Sequence, residues 1–440
     1  MLLLFVLVAF LHIHESSLQA LSASLSPGCF NCSDENISVV SVVYRGRDSS
    51  IHFIVSITKE RSVPSVFLAC SNANSSVQFD WPAIIADNKS SQAVVLINSS
   101  FYGLLFPNVN VSLLSLVLNI VFPVFIFPFL HPQLYQYEDR ADVADISRAA
   151  GQVVRFPLNQ CFWFLLHWDS VPDASTGLLS LALRCNDSSP SVLFANKGFI
   201  ELQFTFSERD RFADSAPRTL LLGGLAVRMK VTLRRLALRW KDTRWALNLA
   251  VVANRSLPDT AAFENFISAS IDDEPSPGAF KDMTIFLSNH SYVTWKSVCY
   301  IDETATDLKS SRAISVSTQW CVDKATNRSL TMSSLLPFVY GPTEDSIAVR
   351  QLNVSFGDTG DGFYRSSNYI DWTLTFALGT PPPKHYSPLI WTMLFLSITV
   401  VSAALCVLVY VIGYHVLRRR ANSYEEPLLE EVEDLDNQSA

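Results

Sequence analysis

From Leu389 to Tyr414 the chain runs 26 residues without a charged side chain, while a helix needs only about 20 to cross a bilayer core. Arg418, Arg419 and Arg420 follow at once, the positive cluster that stays on the cytoplasmic side of a span. That pairing predicts an orientation. Everything upstream lies outside the cytosol, and only the tail from Ala421 to Ala440 lies inside. At the other end, the apolar run Leu2–Leu11 is short for a span, and Ala20-Leu21-Ser22 offers a small-x-small cleavage site, so it reads as a secretory signal peptide. The expected organisation is a signal peptide over 1–22, a glycosylated lumenal region over 23–385, a membrane helix over 386–417 and a tail over 418–440. This is a single-pass type I membrane protein.

The tail carries Glu425-Glu426-Pro427-Leu428-Leu429, which reads as an acidic dileucine sorting signal for a clathrin adaptor. Glu425, Glu426, Leu428 and Leu429 are its candidate residues. Tyr424 stands four before Leu428, where such signals favour an acid.

Sequons test the orientation. Asn31, Asn36, Asn74, Asn88, Asn98, Asn110, Asn186, Asn254, Asn289, Asn327 and Asn353 all fit Asn-x-Ser/Thr and all precede the span. Spread from end to end, they predict a densely glycosylated lumenal surface. Asn437 fits the pattern too, but lies behind the arginines and is expected to stay bare. A net charge of −8 over 440 residues, with no basic stripe outside Arg418–Arg420, argues against nucleic acid. An oxidising lumen favours disulfides over zinc. Cys161–Cys185 and Cys299–Cys321 are the simplest local pairs, whereas Cys29, Cys32 and Cys70 leave one over and their connectivity open.

Period-two alternation dominates the lumenal chain. Ile200, Leu202, Phe204 and Phe206 share one face while Glu201, Gln203 and Thr205 take the other. Over Val227–Trp240 the apolar phase is odd through Leu233 and then even at Leu236, Leu238 and Trp240. One inserted residue near Arg234-Arg235 predicts a β-bulge. Further strands are expected at Ile51–Ile57, Trp245–Val251, Leu352–Phe356 and Ile370–Leu378. The fold class is therefore all-β, a β-sandwich and more specifically two packed side by side, followed by one C-terminal transmembrane helix. Asn353, alternating with Leu352 and Val354, should hold its glycan on the outer face. Val111–Leu130 is also uncharged, but one more crossing would put Asn186 to Asn353 in the cytosol, and Pro123 and Pro128 suit a helix poorly. Two readings stand, a lumenal apolar insertion or a segment absent from the mature protein, and on either its deletion should spare the fold.

Few constellations suggest chemistry. Asp272-Asp273-Glu274 is the densest carboxylate cluster, but paired carboxylates divide acid and base roles only when buried at a defined separation, and a turn stopped by Pro275 promises neither. Arg234-Arg235 and Arg239-Trp240-Lys241 read as the outward face of the bulged strand. The histidines lack metal-ligand spacing, and no Gly-x-Ser-x-Gly, His-Glu-x-x-His or phosphate loop is present. The expectation is a protein that is not an enzyme and uses no cofactor or metal.

Ser270-Ile271-Asp272-Asp273-Glu274, Asn353-Val354-Ser355-Phe356-Gly357 and Trp372 through Pro381-Pro382, in that order before a terminal span, resemble the glycosylated lysosomal membrane protein family. The resemblance is clearest from Phe199 to Arg420 and absent over Val111–Leu130. It implies a β-rich, densely glycosylated type I protein of the lysosomal membrane. Its implied role is as an accessory subunit that protects a multi-span major-facilitator transporter, a dipeptide exporter, from lysosomal proteolysis. Family tails carry a tyrosine-based signal, whereas here Pro427 stands where a bulky apolar residue belongs, leaving Leu428-Leu429 to replace it. Two other classes compete: a lumenal cargo or carbohydrate receptor using Trp240 and Trp245, and a lysosomal hydrolase using Asp272–Glu274.

Overall fold

The computed structural model describes residues 20–29, 37–45, 49–58, 64–72, 75–86, 93–97, 125–127, 133–148, 151–158, 161–175, 177–188, 193–207, 226–254, 266–271, 280–288, 291–296, 298–303, 311–321, 347–378 and 388–437. Two compact units divide the chain, Met1–Pro382 and Pro383–Ala440.

The first unit is built of strands: β1 (Ala20–Leu25), β2 (Ile37–Arg45), β3 (Ser49–Thr58), β4 (Ser65–Asn72), β5 (Ser76–Phe79), β6 (Val94–Ile97), β7 (Phe125–Phe127), β8 (Gln133–Glu138), β9 (Val153–Pro157), β10 (Cys161–Trp168) and β11 (Leu178–Ser188). These continue with β12 (Phe194–Ser207), β13 (Ala226–Leu236), β14 (Thr243–Asn254), β15 (Phe266–Ile271), β16 (Phe280–Ser288), β17 (Ser291–Lys296), β18 (Val298–Tyr300), β19 (Ser311–Cys321), β20 (Ile347–Phe356) and β21 (Tyr369–Leu378). Among the described residues they form a four-stranded sheet β1-β2-β3-β4, a hairpin β5-β6, and a long sheet ordered β10-β11-β12-β13-β21-β18-β19-β20-β14-β8-β9, with β15, β16, β17 and β7 attached beside it. Every pairing is antiparallel.

The alternating pattern decides which face is core. Leu183, Leu202, Val231 and Trp372 form one row across β11, β12, β13 and β21, and all four are buried. Leu179, Phe206, Val227 and Phe376 form another, an even number of residues away and so on the same face. Phe206 meets Phe53 of β3 at 5.3 Å between ring centroids, and Trp372 meets Phe356 of β20 at 6.1 Å. The four-stranded sheet and the strands around β20 therefore cover one and the same face of the central strands. The all-β class holds, in several antiparallel sheets. Among the described residues the main buried cluster runs from Val42 through Phe204 to Trp245 and Val354. The opposite face is polar, with Arg184 paired to Glu201 and Lys230 to Asp371.

The irregularity lies where the phase slip put it, but the extra residues are on the partner strand: β12 takes five steps from Phe194 to Phe199 while β13 takes two from Leu236 to Arg234. Arg235 has φ +48° and points out, while Leu236 turns back into the core. The Tyr364 hydroxyl accepts from the Leu236 amide and donates to the Leu233 carbonyl, satisfying groups the bulge frees from the ladder. The strand ends at Leu236, however, so Leu238 and Trp240 belong to the following turn.

Two expectations are corrected, while Ala20, Leu21 and Ser22, expected at the end of the signal peptide, pair with Arg45, Tyr44 and Val43 in β1. Within Val111–Leu130, Phe125–Phe127 is a strand, paired through Ile126 with Val251 and lying close to β4. Its deletion would strip that pairing from β14. The rest of that stretch lies outside the described residues. The Cys299–Cys321 pair fails on register. Cys299 stands opposite Arg312 in β19, and Cys321 is nine positions further along that strand, roughly 30 Å away. A disulfide needs Cα atoms within about 7 Å. Local spacing cannot reveal this because β18 and β19 are offset along each other.

The second unit is one helix, Pro388–Asn437. Thr392–Arg420 within it has mean hydropathy 2.6, and from Thr392 to Arg420 every side chain is exposed. Only a membrane offers such a surface an apolar solvent.

Candidate functional site: the outer face of the long sheet

The outer face of β14 and β20 carries Arg244, Asn248, Asn353 and Ser355, and Tyr135 and Tyr137 of β8 lie on the same face. Trp245 and Leu247 point into the core, so Arg244, Ala246 and Asn248 lie on the opposite face of β14, where they too are buried. Arg244 is the centre of a clasp that no sequence pattern announced. Its Nε lies 2.8 Å from Asp139 Oδ2 and its Nη2 lies 2.7 Å from Asp361 Oδ1. Nη2 also donates to Asp142 and to the Asp358 carbonyl. The guanidinium is 2% exposed and Asp139 is fully enclosed, with the Phe363 ring 5.1 Å away.

Local geometry prepares this. The Asp139 carboxylate accepts the Val143 and Ala144 amides, in a turn where Asp142 and Ala144 adopt positive φ. Gly357 has φ +127°, and a Cβ there would sit 2.0 Å from the arginine Nη1, so only glycine admits the guanidinium. Burial works against the arginine's charge, but hydrogen bonds with Asp142 and Asp361 outweigh it and hold its pKa above the usual value. The clasp ties the β8–β9 turn, β14 and the loop after β20. It holds segments together, with the guanidinium filling the space between the carboxylates. Among the described residues no group of three His, Cys, Asp or Glu could hold a metal ion.

Beside the clasp, Ile146 donates its amide to Ser355 Oγ. Two residues back along β20, Asn353 Oδ1 accepts a 2.7 Å hydrogen bond from Asn248 Nδ2. A second surface lies at the far edge of the long sheet. Phe162, Phe164 and Leu166 alternate outward along β10, Phe162 being 47% exposed. The Cys161–Cys185 disulfide, Cα atoms 5.9 Å apart, fastens this edge strand to β11.

The expected residues fall out unevenly. Cys161–Cys185 forms as expected. Asn186 is exposed on β11, and Asn353 is half-buried on β20. Asn254 ends β14, its side chain outside the described residues; Asn31, Asn36, Asn74, Asn88, Asn98, Asn110, Asn289 and Asn327 lie outside them entirely, as do Asp272–Glu274. Glu425, Glu426, Leu428 and Leu429 are on helical backbone, their side chains outside the described set. Trp245, expected as a surface aromatic, is fully buried against Phe156 and Tyr364. Reasoning from sequence missed Asp139, Asp142, Arg244 and Asp361 because they are separated by up to 222 residues. The only local hint was the glycine-rich run Gly357-Asp358-Thr359-Gly360-Asp361-Gly362.

Known proteins place this arrangement. A protein from Danio rerio named "Glycosylated lysosomal membrane protein" is 26% identical over 387 residues, covering 83% of this chain and 79% of its own length. The family profile described as glycosylated lysosomal membrane protein matches residues 119–422, starting inside Val111–Leu130, where no resemblance was expected. With a match over most of its length, covering the clasp, both surfaces and the span, the chain belongs to the glycosylated lysosomal membrane protein family.

Proposed function

We propose that this protein is a non-catalytic accessory subunit of the lysosomal membrane, shielding a multi-span major-facilitator transporter from lysosomal proteases. The observation that carries the reading is the apolar helix Thr392–Arg420, exposed on every side, which fits a subunit anchored in the membrane that such a partner would span. Ser397, Ser402, Ala403 and Ala404 along it allow close helix packing. On the lumenal side the Phe162–Leu166 stripe supplies apolar surface of the kind partners cover. The Glu425–Leu429 tail is read as the adaptor signal that delivers the chain to lysosomes.

A shield acts by occupancy. At about 100 times Kd, binding stabilises the bound form by roughly 2.7 kcal/mol and lowers the population of cleavable open states about a hundredfold. Removing this chain should shorten the half-life of a multi-span lysosomal partner, and protease inhibitors should restore it. If no lysosomal membrane protein turns over faster in its absence, the accessory role is wrong.

A receptor role has one observation in its favour, an open groove of about 710 Å³ lined by Phe79, Trp81, Pro82, Ile85 and Val95. That groove precedes residues 119–422, the part matched by the family profile. Native co-purification separates the readings by yielding a multi-span protein or a soluble ligand.

A further inference from the structure

We propose that the His52–Ser75 contact is an acid-sensitive latch, holding the β5–β6 hairpin and one wall of the groove against the four-stranded sheet. The inference goes beyond the accessory role and does not depend on it. Along β3, Ile51, Phe53 and Val55 face the main buried cluster, so His52 lies on the sheet's other face. There its Nε2 is 2.9 Å from the hydroxyl of Ser75, the residue that leads into β5, and both are 1% exposed. Among the described residues the hairpin pairs with neither of the other sheets, and two strands alone are marginally stable in water. Its attachments therefore decide whether it stays in place. A second one is the Trp81 indole, which donates to the Pro27 carbonyl. Gly28 and Cys29, next in the chain after Pro27, form one side of the groove, while Phe79, Trp81 and Val95 belong to the other. The groove thus exists only while the hairpin is closed.

The latch holds only with a neutral ring. Its strand neighbours Val43 and Ala69 are uncharged, and Ser75–Phe79 carries no charge. Burial opposes a cation there, and Arg45 of β2, the charged group acting on the ring among the described residues, repels it further. The closed form therefore resists protonation down to about pH 4. Opening the hairpin lets water reach the ring, which then takes up a proton as an ordinary histidine does, near pH 6.5. Acid thus favours the open form. Between pH 7 and pH 5 the open population should rise about 20-fold, set by the two affinities for the proton.

The test is hydrogen exchange of the full-length protein in detergent micelles at pH 7 and pH 5, with rates corrected for the intrinsic pH dependence of exchange. Amides of β5 and β6 are expected to lose about 20-fold in protection at pH 5, while those of β2 and β12 change by less than about threefold. His52→Gln, whose amide keeps a donor for Ser75 but does not titrate, should hold the hairpin's change within about twofold. Trp81→Phe removes the indole donor and should open the hairpin about fivefold at both pH values, leaving the ratio between them intact. Unchanged hairpin protection, an equal loss in either control strand, or a His52→Gln protein that keeps the full change overturns the inference. If His52→Gln fails to fold, the comparison of hairpin with control strands in the wild type decides.

Discussion

His52 and Arg244 are both buried basic side chains on strands, and the two regions treat them oppositely. His52, on β3 of the four-stranded sheet, has its Nε2 2.9 Å from Ser75 Oγ. Burial, with nearby Arg45 adding repulsion, lowers its pKa to about 4, so it is stored neutral. Arg244, on β14, cannot be neutralised and is instead surrounded by Asp139, Asp142 and Asp361. A weak base meets the cost of burial by giving up its proton; a strong base must recruit counter-charges from across the chain. The first solution depends on pH, whereas a guanidinium keeps its charge whatever the compartment.

Breaking the clasp should have the largest effect. Arg244→Leu leaves the enclosed Asp139 without its cation, and a loss of about 3–5 kcal/mol is expected in denaturant unfolding. A loss under about 1 kcal/mol would show that the clasp is dispensable. Gly357→Ala attacks the same clasp from outside, through the Cβ that would meet Nη1, and should cost roughly 2–3 kcal/mol. Wild-type stability there would mean that the arginine readily moves aside.

The histidine should reveal itself through pH. Its unfolded form takes up a proton as pH falls through about 6.5, while the folded form resists until about 4. Stability from the neutral buried ring is therefore complete above about pH 6.5 and is lost on acidification, about 2 kcal/mol between pH 7 and pH 5. His52→Gln should flatten thermal stability over that window; an unchanged slope would assign the pH dependence elsewhere. Smallest is Ser75→Ala, which removes the ring's Nε2 partner and should cost about 1 kcal/mol. No change in melting temperature at neutral pH would show that this bond is not needed.

What could be read in advance divides along the range of the interactions. Alternation at Ile200–Phe206 and Val227–Leu233 announced buried faces because a strand's period is local. The slip after Leu233 announced the bulge for the same reason. Cys161–Cys185 was legible because β10 and β11 are neighbours joined by a short loop. Cys299 and Cys321 looked equally local, yet the offset between β18 and β19 separates them. Phe125–Phe127 was hidden in a uniformly apolar run, since three residues show no period.

The sequence by itself determined the membrane helix, the antiparallel all-β character and the positions available to glycans. Each follows from hydropathy, period or a tripeptide, properties a segment possesses before it meets another. Only the tertiary structure decided that the main buried cluster reaches both covering sheets, that Trp245 lies inside, and that Asp139, Asp142 and Asp361 meet Arg244. It alone set Asn248 against Asn353. These are register and packing outcomes between distant segments, and burial makes them compulsory, because a charge or amide removed from water must find its partner wherever the chain supplies one.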